Sequence, residues 1–427
     1  MNRVAMLFLV VMCAVGIAVG AQKPQANNTA DSDVNINSFT LTASDGMTLD
    51  LFGSSVAISG DTVVVGAPFV ARQRGSAYVF VRPPSGWANM TQVAELTASD
   101  GKEGDIFGVS VAISGDTLIV GAPDATINGN REQGAAYVFV KPAGGWQNTT
   151  ETAKLVASDG NVYRDFGEAV SINGNTVVVG APQGTGDFPG PGLAYIFVEP
   201  AGGWSNMTQT AELSASDGTD GGDFGASVSI SGNTVVVGAT QGSCSCDAGP
   251  GAAYVFAEPS DGWTNMTQTA KLRASDGMVG DALGVSVSIS GNTIAVGASN
   301  HDGGRAYVFV EPTGGWVNMK QTAELKDGMI GSCLGISISL YGNELLAGAP
   351  CFQNDRGAAF LFIKPPTGWR NTNTYQAAVG IHFSFMHDDF ANSLAIQGKT
   401  AIIGAPYAPT SLNNQPGPGQ AFIFTTQ

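Results

Sequence analysis

Residues 107–123 read Phe-Gly-Val-Ser-Val-Ala-Ile-Ser-Gly-Asp-Thr-Leu-Ile-Val-Gly-Ala-Pro, and this stretch decides the fold. Polar and apolar residues alternate up to the Gly-Asp pair, which is typical of a half-buried strand followed by a hairpin turn. A continuous apolar run follows, as expected for a strand that is covered on both faces. The stretch therefore predicts an antiparallel hairpin whose second strand is buried.

The same hairpin occurs seven times in the 427-residue chain. An aromatic residue or a leucine opens each copy, at Phe52, Phe107, Phe166, Phe224, Leu283, Leu334 and Phe390. A glycine closes each copy 14 positions later (66 − 52 in the first), whereas successive copies begin 51 to 59 residues apart. Strand-only repeats of this length are typical of propellers. We therefore predict an all-β fold, a seven-bladed β-propeller of four-stranded antiparallel blades.

Two further strand signals complete each repeat. The third strand is aromatic, as in residues 77–80 (Ala-Tyr-Val-Phe), and the outer strand is more polar, as in residues 210–213. Phe39 begins an outer-strand pattern that no inner strands precede, and residues 421–424 form a third-strand pattern that no outer strand follows. We therefore expect the N-terminal strand to complete the last blade, which removes an exposed sheet edge.

Composition and the N-terminus narrow the class of protein. Charged residues make up 13% of the chain and the net charge is −16, which argues against nucleic acid and anionic membranes as partners. Arg3, the apolar run over residues 5–19 and the small residues up to Ala21 predict a signal peptide over residues 1–21. We expect a disordered leader over 22–36, the propeller over 37–427 and no membrane span, hence a secreted or cell-surface protein.

Four cysteines follow the predicted signal peptide: Cys244, Cys246, Cys333 and Cys351. An even number in an exported protein favours disulfides. We expect Cys333 to pair with Cys351, because one starts a strand and the other ends the antiparallel partner in the same blade. Cys244 and Cys246 either close a small strained ring or stay reduced. A metal site would need more soft ligands, so neither a metal nor a cofactor is predicted.

The repeated Phe-Gly and Gly-Ala-Pro patterns resemble the FG-GAP repeats of the integrin alpha-subunit propeller, and more closely the short FG-GAP repeats of exported proteins of bacterial type. The resemblance covers residues 38–427 and implies adhesion or extracellular recognition. It also implies a binding face made of the loops after the second strands and the links before the first strands. One departure concerns calcium: the hairpins hold only Ser-Gly-Asp-Thr or Ser-Gly-Asn-Thr, which supply too few oxygen ligands, so calcium is not expected there.

Three features recur from blade to blade, and their even placement favours a structural role. Aspartates lie in the links before each Phe-Gly, where turn formation is favoured over a ring of cation-binding carboxylates: Asp45, Asp100, Asp159, Asp217, Asp276 and Asp327, then Asp50, Asp105, Asp165, Asp223 and Asp281. Tryptophans follow the third strands, where packing is favoured over stacking on sugars: Trp87, Trp146, Trp204, Trp263, Trp316 and Trp369. Glycosylation sequons, or plain turns if the host is a bacterium, begin at Asn89, Asn148, Asn206 and Asn265.

The loops after the second strands differ in length and content. Variable loops on a rigid scaffold often carry recognition, although neutral drift also produces such variation. The candidate ligand-binding residues in these loops are Arg72, Arg74, Asp124, Asn128, Arg131, Asp187, Asp302, Arg305, Asp355, Arg356 and Tyr407. His382, His387, Asp388 and Asp389 also depart from the repeat, and we interpret them as a decayed repeat rather than a metal or acid–base site, because His301 is the only other histidine.

The sequence thus predicts an extracellular recognition or adhesion module that binds a protein or a glycan through loops on one face, without catalysis of its own. One alternative is a lectin-like propeller with sugar sites between blades. Another is a carbohydrate-active enzyme with carboxylates in the central channel, because a fold does not decide function.

Overall fold

A computed structural model describes residues 36–162, 164–182, 190–241, 249–380, 388–409 and 416–426. The predicted signal peptide, the leader up to residue 35, and Asp187, Cys244, Cys246, His382 and His387 lie outside the described residues. Seven separate antiparallel sheets follow one another along the chain, so the predicted seven-bladed β-propeller is confirmed.

The strands are numbered along the chain. Up to the third blade they are β1 (Ile36–Thr42), β2 (Ser55–Ser59), β3 (Thr62–Ala67), β4 (Ser76–Val81), β5 (Met90–Thr91), β6 (Ala94–Thr97), β7 (Val111–Ser114), β8 (Thr117–Ala122), β9 (Ala135–Val140), β10 (Thr149–Thr150), β11 (Ala153–Val156), β12 (Ala169–Asn173), β13 (Thr176–Ala181), β14 (Leu193–Val198), β15 (Met207–Thr208) and β16 (Ala211–Ser214). The remaining strands are β17 (Phe224–Ser231), β18 (Thr234–Ala239), β19 (Ala252–Ala257), β20 (Met266–Thr267), β21 (Ala270–Arg273), β22 (Leu283–Ser290), β23 (Thr293–Ala298), β24 (Arg305–Val310), β25 (Met319–Lys320), β26 (Ala323–Leu325), β27 (Ser337–Tyr341), β28 (Glu344–Ala349), β29 (Ala358–Ile363), β30 (Ala377–Val379), β31 (Ser393–Gln397), β32 (Thr400–Ala405) and β33 (Gln420–Thr426).

Helix is almost absent from the described part of the chain. Two four-residue helical turns, α1 (Val70–Gln73) and α2 (Phe352–Asp355), lie in the loops after the second strands of blades one and six. None of the helices in the described ranges is long and apolar enough to cross a membrane.

The N-terminal strand closes the ring. β1 pairs antiparallel with β33, from Ile36 opposite Thr426 to Leu41 opposite Ala421, and so becomes the outer strand of blade seven. The sheet of blade seven therefore runs β31-β32-β33-β1, with its inner three strands from the end of the chain. The predicted closure is confirmed.

The core lies between neighbouring blades. Phe107, at the start of blade two, packs against the rings of Tyr137 and Phe139 with centroids 5.5 and 6.0 Å apart. These rings join Val79 and Leu96 of blade one in a single buried cluster. Each interface thus buries the aromatic third strand of one blade against the apolar strands of the preceding one, which is why a blade cannot be stable alone.

The glycine that closes each hairpin is required by a close approach between blades. A Cβ on Gly121 would lie 1.9 Å from the carbonyl oxygen of Gly167 in the next blade. The Ser110 hydroxyl donates a hydrogen bond to the same carbonyl, at 2.7 Å. Because any side chain at residue 121 would collide with backbone, the Gly-Ala-Pro pattern sets the spacing between blades.

Most blades gain a fifth strand that the sequence did not predict. The two-residue strands β5, β10, β15, β20 and β25 each pair in parallel with the outer strand of the preceding blade, for example Met207 with Leu155. The bridge between Leu325 and Thr372 continues the pattern from blade five to blade six. We call this ring of contacts the outer belt.

Candidate functional site

The loops after the second strands and the links before the first strands share one face of the ring, as predicted. Within blade one, the backbone N–H of Phe69 donates to the carbonyl of Asp50, at 3.2 Å. Between blades, the N–H of Ile106 donates to the carbonyl of Gln73, at 2.8 Å. We call this surface the loop face.

The loop face presents several of the predicted ligand-binding residues to solvent. Arg72 and Arg74 are exposed in the loop of blade one, and Arg72 Nη1 lies 3.0 Å from Glu103 Oε1 in the link to blade two. Asn128 and Arg131 are exposed in the longer loop of blade two, where Asp124 is half-buried.

The remaining described candidates divide between exposed and buried positions. Asp302 and Arg356 are exposed, whereas Asp355 and Tyr407 are half-buried. Burial raises the pKa of Tyr407 above its ordinary value. Arg305 is buried, and its guanidinium donates to Glu324 Oε1 at 2.8 Å and to the carbonyl of Gly304 at 2.8 Å. An arginine so engaged holds the blade-five loop in place.

Sequence reasoning missed the apolar tips of two links on this face. Met278 and Val279 precede blade five, and Met329 and Ile330 precede blade six. Ile330 is 97% exposed and Val279 is 65% exposed. Lys102 holds the equivalent position in the link before blade two, whereas Met47, which is 62% exposed, holds it in the link before blade one. We call Met278, Val279, Met329 and Ile330 the blade 5–6 patch.

The loop between these two links is short and rigidly connected to both. It spans only residues 299–304, between β23 and β24. The Asn300 N–H donates to the carbonyl of Asp281 at 3.3 Å, and the Ser332 hydroxyl donates to the carbonyl of Gly303 at 2.9 Å. A short loop leaves the link tips uncovered, so the patch stands open to solvent.

A disulfide and a buried histidine fix the two links that carry the patch. Cys333, three residues after Ile330, is bonded to Cys351, which confirms the predicted pairing. His301 is 4% exposed, and its Nδ1 lies 2.7 Å from Asp281 Oδ2. Its Nε2 lies 3.5 Å from Asp276 Oδ2. The imidazole thus joins the short loop to the link that carries Met278.

The recurrent aspartates have structural partners, as the sequence indicated. In five blades the strand-three tyrosine donates to the first aspartate of the link: Tyr78 to Asp45, Tyr137 to Asp100, Tyr195 to Asp159, Tyr254 to Asp217 and Tyr307 to Asp276. Burial and these carboxylates raise the pKa of the tyrosines. The second set caps turns, as when Asp50 accepts the N–H of Met47 at 2.6 Å. The first set therefore anchors a neighbouring strand, a role that turn chemistry alone did not predict.

The tryptophans and the sequon asparagines build the outer belt. All six indoles are 6–8% exposed, which confirms the packing role. The asparagine two residues later accepts a hydrogen bond from the outer strand of the preceding blade: Asn89 from Thr40, Asn148 from Glu95, Asn206 from Lys154 and Asn265 from Glu212. These asparagines connect blades, which neither the sequon nor the turn interpretation predicted.

A group of carboxylates lies near the mouth of the channel at blades two and three. Oxygens of Asp124, Glu132 and Asp165 lie within 4.8 Å of one another, and this is the group among the described residues that could hold a cation. Calcium takes six to eight oxygens, so one oxygen from each of these carboxylates would not complete its coordination. These three carboxylates lie outside the hairpins between the first and second strands, where calcium was not expected.

Among the described residues that line the central channel, one carries a carboxyl group. Three residues at the start of each first strand line a cavity of about 280 Å³, and Glu168 is the ionisable residue among them. Burial, together with the charges of Asp165 and Asp124, raises the pKa of Glu168 to about 8. At neutral pH the protonated form of this side chain is therefore favoured.

Comparison with known proteins agrees with this architecture. Five segments match the family model described as FG-GAP repeat, at residues 38–80, 90–139, 149–197, 207–256 and 266–309. The chain belongs to the FG-GAP repeat family. Each matched FG-GAP segment begins in or beside the outer strand of one blade and ends in the third strand of the next, the unit on which the outer belt is built.

Among solved structures, the WD40 beta propeller domain of Doa1 is similar to this FG-GAP chain. The two share 12% sequence identity with a TM-score of 0.52, over 91% of this chain and 95% of that one. At this identity the likeness concerns the fold alone. No curated protein matches the chain.

Proposed function

We propose that this FG-GAP propeller is an exported recognition module that binds an extracellular protein through the loop face, with the blade 5–6 patch at the centre of the contact. The observation that carries the proposal is the exposure of Met278, Val279, Met329 and Ile330 on adjoining links. Clustered exposed apolar side chains on a folded protein commonly mark interaction surfaces.

The chemistry of the patch favours a protein over a glycan. Aliphatic and thioether side chains pack against irregular apolar surfaces, and methionine adapts to their shape. Sugar recognition would draw on exposed aromatic faces, yet all six indoles are buried in the outer belt. The lectin-like alternative therefore loses the side chains on which it depended.

The rigidity of the patch favours tight binding. The Cys333–Cys351 disulfide and the His301–Asp281 contact hold both links before a ligand arrives. A surface that is ordered in the free protein loses little conformational entropy on binding. Exposed charges nearby, such as Asp302 and Arg356, would form the polar rim.

The proposal is tested by screening the chain over residues 22–427 against extracellular proteins and glycans, with and without calcium. For any ligand found, Ile330→Asp should weaken binding about thirtyfold, because it places a charge at the centre of an apolar contact. Val93→Asp is the matched control, since Val93 is 46% exposed and lies beside the outer strand of blade one, away from the patch. A ligand that binds the Ile330→Asp and Val279→Asp variants as tightly as the natural protein contradicts the proposal.

Glu168 favours a second candidate, hydrolysis of a carbohydrate in the central channel. A carboxyl group with a pKa of about 8 stays protonated at neutral pH and can donate a proton to a leaving group. Polysaccharide turnover that Glu168→Gln abolishes would support this candidate. Absence of turnover across a polysaccharide panel would leave the recognition module as the function.

A further inference from the structure

Six of the seven blades share a serine hydrogen bond beside the central channel. The second of the three channel-lining residues in each of these blades is a serine, and its hydroxyl donates to a backbone carbonyl of the next blade, at 2.7–2.8 Å. The donors are Ser55, Ser110, Ser227, Ser286, Ser337 and Ser393. Because the bond recurs from blade to blade, it belongs to the architecture of the ring.

Blade three departs from this arrangement. Ala169 holds the serine position and has no hydroxyl to donate to the equivalent carbonyl, that of Gly225. The carbonyl itself is placed as in the other blades: a Cβ on Gly180 would lie 2.0 Å from its oxygen, and a Cβ on Gly121 would lie 1.9 Å from that of Gly167. Because Ala169 lines the channel, the place of the serine hydroxyl is left to a donor that enters the channel.

The same blade carries the ionisable side chain of the channel lining. Glu168 holds the first lining position, and the charges of Asp165 and Asp124, from the link before blade three and the loop of blade two, act on it. The residues at the first position of the other blades are uncharged: Ser54, Val109, Ala226, Val285, Ile336 and Asn392. Two neighbouring departures from the repeat thus place a carboxyl group and an accepting carbonyl in one sector of the channel, where the surrounding charge is negative. Such a sector attracts a cation that can donate hydrogen bonds.

We propose that the channel binds a primary alkylammonium group at blade three, whose N–H groups donate to the Glu168 carboxylate and the Gly225 carbonyl. A primary ammonium carries three N–H donors on one charged atom, so it can serve both acceptors at once. The third lining position is Val, Ile or Leu in every blade, as in Val170 and Val228, and gives the alkyl chain an apolar wall. An apolar cavity with a few convergent polar groups is the usual form of a small-molecule site. The inference rests on neither of the functions proposed above.

Binding of the ammonium group is coupled to release of a proton. Burial and the charges of Asp165 and Asp124 raise the pKa of Glu168 to about 8, so the free protein holds this carboxyl group mostly protonated at pH 7. The ammonium group pairs with the carboxylate, and the proton of Glu168 passes to solvent. Between pH 7 and pH 9 the carboxylate form of the free protein rises from about a tenth to about nine-tenths, and the affinity should therefore rise about tenfold.

Simple amines are the probes, in calorimetric titrations at constant ionic strength. Butylammonium should bind the protein at one site with a Kd of about 1 mM at pH 9, the affinity expected for so small a ligand. Butyltrimethylammonium keeps the charge but has no N–H group, and 1-butanol keeps the chain but has no charge, so both should bind at least about tenfold more weakly. Both outcomes with Nα-acetyl-lysine methylamide are consistent with the site: binding assigns a lysine of another protein as the source of the ammonium group, and exclusion assigns a free amine.

All of these probes meet the same folded protein, so a loss of stability cannot account for a difference among them.

Variants of the protein locate the site. Glu168→Gln should weaken butylammonium binding at least about tenfold at pH 9 and abolish its dependence on pH. Ala169→Ser restores the residue of the other six blades, so the fold is kept, and it should weaken binding about tenfold because the new hydroxyl takes the Gly225 carbonyl. Ser286→Ala, the reverse change in blade five, is the matched control and should change the Kd less than about twofold.

Absence of butylammonium binding up to about 20 mM at pH 9 overturns the proposal. Equal binding of butyltrimethylammonium overturns it as well, and so does an Ala169→Ser variant that binds butylammonium as tightly as the natural protein.

Discussion

Replacing Leu41 by alanine should destabilise the propeller as much as a leucine-to-alanine change in a blade whose strands are consecutive in the chain, although Leu41 lies in the N-terminal strand β1. Leu41 is 0% exposed and packs with Phe52, Val63 and Ile423 across the junction of blades seven and one. A leucine-to-alanine change at such a position removes buried methyl groups and leaves a cavity, which costs about 3 kcal/mol. For a chain of this size we expect the melting temperature to fall by about 4 °C.

The assay is thermal unfolding followed by circular dichroism, with two matched variants. Leu96→Ala changes the equivalent, equally buried residue of blade one and should lower the melting temperature by the same amount. Leu49→Ala changes a residue that is 47% exposed and follows the same strand, and should have no measurable effect. If Leu96→Ala lowers the melting temperature while Leu41→Ala does not, β1 does not close the ring, and the reasoning about the closure is wrong.

Three further predictions concern the channel, the blade spacing and the disulfide. Because folding raises the pKa of Glu168 from its ordinary 4.5 to about 8, its protonated form is favoured in the folded state and stability is lost as pH rises through this interval. Glu168→Gln should therefore be more stable than the natural protein by about 5 kcal/mol at pH 9, because each pKa unit corresponds to about 1.4 kcal/mol, and equal to it at pH 4 in urea unfolding; equal curves at both pH values would contradict this sign. Gly121→Ala should lower stability by at least about 3 kcal/mol, whereas Gly144→Ala, which meets no atom within 4 Å, should change little; comparable melting temperatures for the two variants would refute the close approach. Replacing Cys333 and Cys351 by serine opens a loop of 18 residues and should lower the free energy of unfolding by about 3 kcal/mol. A ligand found for the blade 5–6 patch should also bind this variant less tightly. An unchanged unfolding curve would show that the disulfide does not contribute to stability.

The sequence predicted the architecture because its signals are local and repeated. The alternation from Phe107, the Gly-Asp turn and the apolar run to Val120 each report the environment of a strand from within one short stretch. Seven copies of that stretch leave few arrangements other than a closed ring. The pairing of Cys333 with Cys351 followed from the same logic, because both cysteines lie at ends of neighbouring strands in one hairpin.

The contacts between blades were harder to predict. Asn206 looked like a sequon or a turn residue, yet its side chain binds the backbone of Lys154 in the preceding blade. Arg305 looked like an exposed ligand-binding residue, yet it is buried against Glu324. In both cases the partner lies in another strand, and nothing in the local pattern indicates which residue of that strand is near.

The amino-acid sequence by itself determined the number of blades, the strands within each blade and the closure by the N-terminal strand, because side-chain alternation and turn chemistry act over a few residues. Only the tertiary structure decided which side chains remain uncovered. Exposure depends on what a neighbouring blade or loop places over a residue, and here a short loop leaves Ile330 in solvent. The surface proposed for recognition follows from that feature of the assembled ring.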